Sequence, residues 1–538
     1  MPFRNGRTGK AIGTARRTEG GGFSPRRIVG IGLIGCFLSI AAARAVEDDQ
    51  RSTALTIYSK ATPGAVPPEL YRPVAGQSPP RGDLSGRIPG YAIVKQERGV
   101  SLKGGRSTIR FTDVAAYIDP TTVSFTSLTD PESTHVLEQS FEFDLVSTQK
   151  LLQRYIDREI TVEQVRGERI EAVRGTLLSA DNGLVLRTKD GGIRVLYRYA
   201  NILFPELPGG LITRPTLVWD VTTNRPGLHR TRVTYETKGM TWWADYNVVF
   251  TPHEDANRGT LDIGAWVSIL NQSGATYRDA KLKLIAGDVH RAPTPAKAIA
   301  GFRQARARAM VAEADAGFEE KAFFEYHLYT LGRPTTLPDH STKQIELFPT
   351  ARDVQCEKVL VYYGVPARFY YYGGPMTDRN LGIPTNKKVD IYLRFKNEKA
   401  IGMGMPLPSG RIRVFQKDTA DDSLEFIGED TIDHTPKDEE VLVKMGSAFD
   451  VVGERKQIDF AVDYDRHWMK ETIEIKLRNH KDKPVRVLVK ETLYRWVNWE
   501  IVEHTHDFKK IDARTIHFPV RVDKDGEVTI RYTVRYTW

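Results

Sequence analysis

Apolar and polar residues alternate with a period of two through most of the chain, and this alternation predicts β-strands rather than helices. It is clear in "ETIEIKLRN" (471–479) and in a last pair of strands, predicted to form a hairpin that turns at Asp525-Gly526. In "TLDIGAWVSILNQSG" the residues expected on one face are Leu261, Ile263, Ala265, Val267 and Ile269. Strands with one apolar face pack as antiparallel sheets that bury one side. Residues 207–538 are therefore predicted to form a C-terminal antiparallel β-sandwich region.

The N-terminal part shows the same alternation after a segment rich in Pro and Gly. Residues 62–91 cannot form a regular element and predict a loop or tether. The stretch that begins at Tyr91 is predicted to form several strands separated by turns. Residues 46–146 are therefore predicted to form an N-terminal β domain that contains this loop.

A small β-barrel is predicted over residues 147–206. A short helix at 147–157 precedes about five short strands, which are separated by turn residues at 166–167, 181–183 and 190–192. Asn-Gly and Asp-Gly pairs supply the positive φ that tight hairpin turns require. Strands this short leave their edges open unless they close, so we expect an SH3-like or Sm-like barrel.

One segment departs from the strand pattern. Residues 301–322 are rich in Ala, Arg and Glu, which favour helix, but they show no apolar stripe. This segment is predicted to be a helical or mobile insertion in an otherwise mainly β chain.

The basic charge of the chain is concentrated at its N-terminus. The formal net charge is +9, and residues 1–45 hold eight basic residues against one acid; without them 69 basic residues face 67 acidic ones. The body of the protein is therefore near neutral, and no nucleic-acid partner is expected.

The same N-terminal stretch has the order of an export signal. A basic region precedes an apolar run, Ile28 to Ala43, that is short for a membrane span, and "ARA" at 43–45 offers the small residues a signal peptidase needs. Residues 1–45 are predicted to be a signal peptide, which places the protein in the periplasm or outside the cell. The pair Arg26-Arg27 leaves twin-arginine export open beside the Sec route. "LIGC" leaves a lipoprotein with membrane contact through Cys36 open as well.

Few chemical motifs are present after the predicted cleavage. Cys356 would be the single remaining cysteine, so neither an intrachain disulfide nor a cysteine zinc cage is expected. The predicted mature chain, residues 46–538, contains no phosphate-cradling Gly-Lys loop, dinucleotide fingerprint, HExxH or GxSxG element. No cofactor, metal or catalytic residue is predicted.

Four long stretches resemble one bacterial family: residues 235–250, 266–291, 323–348 and 428–460. They are similar to the domain-of-unknown-function 4139 family, whose C-terminal domain is shared with mucoidy-inhibitor-A-like proteins. The resemblance covers about residues 207–538 and implies no catalytic residues. Mucoidy-inhibitor-like members usually carry an N-terminal coiled coil, which this chain replaces with the small barrel, so their partners do not carry over.

Aromatic residues are the first candidates for a ligand or interface. All eight tryptophans lie between Trp219 and Trp538. The adjacent Trp242 and Trp243 must point to opposite faces of a strand, so that one can fill the core while the other meets a domain or a ligand. Trp266 lies in the next apolar strand. Exposed aromatic rings form platforms for sugar rings and peptide strands.

Two polar pairs are further candidates, each with a plain structural alternative. Asp288 and His290 follow a strand and could form an acid–base pair or simply end that strand. His504 and His506 are two residues apart, so on a strand both would face one way and could bind a metal together with a third ligand. A solvated strand face is the alternative.

The run Asp339-His340-Ser341 holds the three residue types of a hydrolase triad in consecutive positions. Triads draw their members from separated segments, because consecutive side chains fan apart. Strand-like sequences flank the run, so we expect a structural turn.

The functional hypothesis is an exported cell-envelope protein that binds another envelope protein or a cell-wall polymer without catalysing a reaction. The alternative is a metal-dependent or serine hydrolase of envelope material, which would need distant residues such as His290, His327, His434 and His504 to converge. The sequence does not fix the oligomeric state.

The order of the N-terminal regions predicts cleavage after Ala45. In its host, the chain should begin at Val46 and fractionate outside the cytoplasm, as N-terminal sequencing would show. A cytoplasmic protein that retains Met1 would contradict this prediction, and a fatty acid on Cys36 would replace it with the lipoprotein alternative.

Overall fold

A computed structural model describes residues 51–59, 61, 64–71, 85–166, 169–287, 289, 318–323, 326–365, 373–381, 386–399, 402–418 and 420–538. All of these residues lie in one compact unit, Arg51–Trp538. The fold is mainly β, as the alternation predicts. In the described part of the chain, no helix is long and apolar enough to cross a membrane.

The helices found within the described residues are short. They are α1 (Pro68–Tyr71), a 3₁₀ turn (Ser85–Arg87) and α2 (Thr148–Arg154). Helix α2 begins where the Ser147 side chain accepts a hydrogen bond from the backbone N–H of Lys150, which satisfies one of the helix's free N–H groups.

The strands of the described residues are, in chain order, β1 (Ser52–Ser59), β2 (Gly90–Leu102), β3 (Gly105–Thr112), β4 (Ile118–Ser127), β5 (His135–Glu142), β6 (Glu159–Arg166), β7 (Arg169–Ser179), β8 (Leu184–Thr188), β9 (Ile193–Leu196), β10 (Asn201–Leu203), β11 (Thr216–Thr223), β12 (Gly227–Thr237), β13 (Met240–Pro252), β14 (Arg258–Asn271) and β15 (Tyr277–Ala286). The remaining strands are β16 (Phe318–Phe323), β17 (Tyr326–Leu331), β18 (Thr335–Leu337), β19 (Ser341–Tyr363), β20 (Lys388–Lys396), β21 (Gly410–Lys417), β22 (Leu424–Ile432), β23 (Glu440–Asp463), β24 (Trp468–Asn479), β25 (Val485–Thr492), β26 (Trp499–His504), β27 (Lys509–Lys510), β28 (Thr515–Val522) and β29 (Gly526–Thr537).

The first two sheets combine strands that are far apart in the sequence. One has the order β16-β17-β15-β1-β2-β12-β4, with β18 on β15, and the other has the order β3-β11-β5. They face each other, since Trp219 of β11 packs on Phe125 of β4 with ring centroids 5.0 Å apart. The predicted N-terminal β domain, 46–146, therefore shares both of its sheets with strands that follow residue 206.

The predicted small barrel is an open five-stranded sheet. Its strands have the order β10-β6-β7-β8-β9, and no pairing joins the edge strands β9 and β10 in the described residues. The predicted turns are present, with Gly183 and Gly191 at positive φ. The sheet is not closed into a barrel because Leu152 of α2 and the following Tyr155 cover its apolar side, and Phe204 packs on the Tyr155 ring.

Counted over the described residues, the largest sheet has thirteen strands, and it borders two cores. Its main order is β22-β21-β13-β14-β19-β20-β23-β24-β29-β26. Off this path, β25 pairs with β19, β28 pairs with β25, and β27 pairs with β28. The first part of β19 pairs with β14, and its last residues pair with β20 and β25. The N-terminal half of this sheet shares a core with the first two sheets. The C-terminal half encloses a core of its own.

The prediction that the last two strands form a hairpin is wrong, although the turn at Asp525-Gly526 exists. Strand β28 pairs with β25 and β27, whereas β29 pairs with β24 and β26. The turn therefore carries the chain from one layer to the other. Phe518 of β28 and Tyr532 of β29 meet across the core, with ring centroids 5.5 Å apart. Period two fixes the faces of a strand but not its partner.

The predicted insertion at 301–322 is described only at its end. Residues 301–317 lie outside the described residues, and the last residues of the segment belong to β16, which pairs with β17. The end of the segment is thus a strand rather than a helix.

We expect the small open sheet to fold as a separate unit. A fragment of residues 145–208 should give a β-type circular dichroism spectrum and unfold cooperatively, because short turns join its strands and its core is made of its own residues. A random-coil spectrum would contradict this prediction and show that the sheet needs the rest of the chain.

Candidate binding site on the central sheet

A polar and aromatic cavity lies on the face of the largest sheet that is turned away from its core. Along β13 the residues alternate strictly: Trp242, Ala244 and Tyr246 are buried, and Trp243 and Asp245 are only half-buried. The pairing of β13, β14 and β19 then places Ser268 beside Trp243 and Gln344 beside Ser268. Period two and strand register thus assemble the site from separate strands.

This cavity, here called the Trp243 cavity, has a volume of about 470 Å³. That volume falls within the range of roughly 300–1,000 Å³ of small-molecule sites. The lining residues are Gly64, Val66, Tyr71, Trp243, Asp245, Ser268, Thr342, Gln344, Arg411 and Arg413.

The N-terminal segment 64–71 forms one wall of the cavity. Leu70 is buried in a small apolar cluster, and its carbonyl oxygen accepts a hydrogen bond from Gln272 Nε2 at 2.9 Å. The Tyr71 ring lies 5.2 Å from the Trp243 ring, at an angle of 52°. Gly64 has a φ of +81°, and a Cβ there would lie 3.3 Å from Arg411 Nη2. Glycine thus allows both this turn and the approach of Arg411.

Asp245 organises the polar groups of the cavity. Its Oδ2 accepts hydrogen bonds from Trp243 Nε1 at 2.8 Å and from Ser268 Oγ at 3.2 Å. Its Oδ1 lies 3.4 Å from Arg413 Nη1. Gln344 Nε2 donates to Ser268 Oγ at 3.0 Å, which extends the network to a third strand. These bonds hold the Trp243 ring and the donors in one geometry before any ligand arrives.

The charge of the lining is positive. The lining contains two basic side chains, Arg411 and Arg413, and one carboxylate, Asp245. Glu429, on the neighbouring strand β22, lies 3.6 Å from Arg413 Nε and 4.0 Å from Arg411 Nη1. Each guanidinium therefore keeps donors that can turn toward a hydroxyl or a carboxylate of a ligand.

Trp266 extends the aromatic surface beyond the cavity. It is directly opposite Asp245 in the pairing of β13 and β14, and its side chain shares the face of Trp243. It is 38 % exposed. A Cβ on Gly264 would lie 4.0 Å from Trp266 Nε1, so the indole lies along its own strand above that glycine.

The two adjacent tryptophans lie on opposite faces, as predicted. Trp242 is 3 % exposed in the main core, where its ring meets Tyr329 edge-on at 6.2 Å. Its Nε1 has no hydrogen-bond partner within the described residues. Trp243, in contrast, lines the cavity. The sequence thus predicts both orientations, but it does not predict which tryptophan is buried.

The predicted polar pairs do not form part of this cavity. Asp288 and His290 lie outside the described residues. His504 ends β26 and His506 follows in a bend, so the expectation that both share a strand face is wrong. His504 Nδ1 lies 3.1 Å from the carbonyl oxygen of His506. In the described part of the chain, no group of three or more His, Cys, Asp and Glu residues could hold a metal ion.

Asp339, His340 and Ser341 form a turn between β18 and β19, as expected. Asp339 Oδ1 accepts a hydrogen bond from the Gly274 backbone N–H at 3.0 Å, and its Oδ2 lies 2.7 Å from His340 Nδ1. The hydroxyl of Ser341 donates to the Pro338 carbonyl oxygen at 2.6 Å instead of to His340. This bonding ties the turn to the loop after β14.

Two of the histidines named for the hydrolase alternative, His327 and His434, bond to other residues. His327 Nδ1 lies 2.7 Å from Glu320 Oε1, and His434 Nδ1 accepts from the Ser409 backbone N–H at 3.1 Å. Cys356 is buried, and burial raises the pKa of its thiol to about 12, so the reactive thiolate is not populated at neutral pH.

Sequence reasoning missed most residues of the cavity. Asp245, Gln344, Arg411 and Arg413 come from three strands whose pairing the sequence does not show. One local signal existed: Arg411 and Arg413 are two residues apart, so on a strand they share a face.

No family model matches the chain, and no curated protein matches it. The family resemblance described above therefore stays a prediction.

Replacement of each adjacent tryptophan separates their roles. Trp242→Ala should lower the free energy of unfolding by about 3–5 kcal/mol, because it leaves a cavity in the core. Trp243→Ala should lower it by about 1–2 kcal/mol, because its ring is only half-buried. Urea titration of both variants measures the difference. Equal, large losses would show that Trp243 is a core residue and not a cavity wall.

Proposed function

We propose that the chain is an exported, non-enzymatic binding protein of the cell envelope, and that the Trp243 cavity holds a sugar unit of a cell-wall polymer. The observation that carries this proposal is the combination of an aromatic wall with fixed polar groups. Trp243 and Tyr71 offer apolar ring surface, and Asp245, Gln344 and Arg411 lie within the same cavity.

Sugars need this combination of groups. The C–H faces of a pyranose ring pack on an aromatic ring, while its hydroxyls need donors and acceptors at its edge. Trp243 Nε1 bonds to Asp245, which fixes the ring plane. A preorganised site loses less entropy when the ligand binds, which favours affinity.

Trp266 supports a polymer rather than a single sugar. Trp266 lies on the same face of the sheet as Trp243, because it is directly opposite Asp245, which follows Trp243 by two residues on β13. It is exposed outside the cavity. Two aromatic rings on the same face of the sheet could each pack on one sugar unit of an extended chain. The export signal predicted for residues 1–45 would bring the protein to such a polymer.

The lining favours binding over cleavage. Among the described residues that line the cavity, Asp245 is the single carboxylate, and it is already bonded to Trp243, Ser268 and Arg413. Glycoside hydrolysis generally uses a pair of carboxylates on either side of the bond that breaks.

The test is sedimentation of the purified chain with peptidoglycan sacculi. Trp266→Ala and Gln344→Ala should each weaken binding by roughly tenfold or less, because each removes about 0.5–1.5 kcal/mol of contact. Trp499→Ala is the matched control, since that half-buried tryptophan lies on β26 in the C-terminal half.

Three outcomes would contradict the proposal. The chain could fail to sediment with sacculi, or the Trp266 and Gln344 variants could bind as well as the Trp499 control. Release of new reducing ends from sacculi, lost in Asp245→Asn, would instead support the hydrolase alternative. Circular dichroism of each variant shows whether it is folded.

A further inference from the structure

A second cleft lies in the C-terminal half, where strand pairing along β23 changes. Strand β20 pairs with β23 up to Val452, and β24 takes over from Val451. Beyond that point the cleft opens beside β23. Its volume is about 470 Å³, and its lining residues are Arg379, Asn380, Lys387, Glu454, Arg455, Lys456, Gln457, Ile458 and Asp459.

Arg455 is a buried arginine at the base of this cleft. Its side chain is 2 % exposed, and its Nε donates to Glu491 Oε2 at 2.9 Å. Within the described residues, its Nη1 and Nη2 make no hydrogen bond. Burial disfavours the charge of this guanidinium, but the nearby carboxylates of Glu491 and Glu471 outweigh that effect and raise its pKa well above the ordinary value. The N–H groups of Nη1 and Nη2 can still donate to an oxyanion.

The position of Arg455 is fixed by its surroundings. A Cβ on Gly364 would lie 2.3 Å from Arg455 Cδ and 2.5 Å from Glu491 Oε1, so glycine is required for this close contact. Tyr532 Oη donates to the same Glu491 Oε2 at 2.5 Å. The arginine therefore cannot swing away from the cleft without breaking a buried pair.

The opposite wall is held by a second buried arginine. Arg495 pairs with Glu471 at 2.7 Å, and it also donates to the carbonyl oxygens of Met376 and Asp378. Gln457 joins this wall to β23: its Oε1 accepts from Arg495 Nη2 at 2.9 Å and its Nε2 donates to the Arg379 carbonyl at 3.1 Å.

The charge of the cleft is positive. The four basic residues are Arg379, Lys387, Arg455 and Lys456, and the carboxylates near them are Glu454, Asp459 and the Glu491 that pairs with Arg455. Glu454 is engaged by Lys456 at 2.7 Å and by Arg478 at 3.3 Å. Arg379 and Lys387 make no ion pair with another described residue, so both are available at the rim.

We propose that this cleft, here called the Arg455 cleft, is a binding site for a phosphoryl oxyanion. Arg455 supplies two parallel N–H donors from the base, and Arg379 and Lys387 close over the anion from the rim. The planar fork of an arginine matches the oxygens of a phosphate, and the lysine adds a point charge. The site is independent of the Trp243 cavity.

Isothermal titration of the full chain with inorganic phosphate at low ionic strength tests the proposal. Binding should be saturable at one site, and both Arg379→Ala and Lys387→Ala should weaken it by roughly threefold to tenfold. Both residues are exposed, so these variants should fold. Lys524→Ala, in an exposed turn, is the matched control and should bind like the parent chain.

Further arms of the test separate the sources of the phosphoryl group. Glycerol phosphate competing with inorganic phosphate indicates a phosphorylated small molecule or polymer unit. Binding to phosphatidylglycerol vesicles without binding of free phosphate would overturn the proposal, because a flat membrane does not require a cleft.

The remaining results distinguish binding of phosphate in the Arg455 cleft from non-specific attraction of phosphate to surface charge. Non-saturable binding, or equal losses in the Lys524 control and the Lys387 variant, would overturn the proposal in favour of diffuse surface charge. Trp266→Ala should leave phosphate binding unchanged, so failure of the sugar proposal and failure of this one are distinguishable. Arg455→Lys should also weaken binding while a melting curve shows that the chain is folded.

Discussion

The pairing of strand β19 is the constraint on which both halves of the structure depend. This strand has 23 residues, and it pairs with β14 at its start and with β20 and β25 at its end. Its first residues contribute Gln344 to the Trp243 cavity, and Gly364 follows its last residue at the Arg455–Glu491 pair. The pairing with β14 contains three register shifts, so the register at each end is set separately. A shift of one residue at either end would exchange the two faces of the strand there, which makes the register at its start decisive for the Trp243 cavity and the register at its end decisive for the Arg455–Glu491 pair.

The two sites are stabilised in different ways. The Trp243 cavity is a surface feature: its groups stand on a sheet whose other face is buried, and Asp245 links them. The Arg455 cleft lies over buried charge, where Arg455–Glu491 and Arg495–Glu471 are almost fully removed from water. Removal of one partner of such a pair costs about 3–5 kcal/mol, because it leaves a buried charge uncompensated. The first site should therefore tolerate substitution far better than the second.

The alternation of residues predicted the faces of the strands but not their neighbours. The alternation predicts the strand that contains Ile473 and Ile475, and both residues are buried. The alternation does not predict that β1 pairs in parallel with β15 or that β13 pairs in parallel with β21. A period of two carries no information about a distant partner strand. The same limit applies to the sites. A ligand-facing role for one of the adjacent tryptophans could be predicted, whereas Asp245 and Arg411 meet only through that pairing.

The parallel pairing of β1 also bears on how the chain folds. Residues Ala54–Tyr58 lie against Lys281–Ile285, more than two hundred positions later in the chain. Strands β13 and β21 are likewise separated by a long stretch of sequence. Contacts between distant residues form late, since the entropy of closing a large loop is lost before any contact is gained. Strand β1 can pair early with the nearby β2, but its other edge has no partner until β15 has been synthesised. During that interval this edge is open to aggregation.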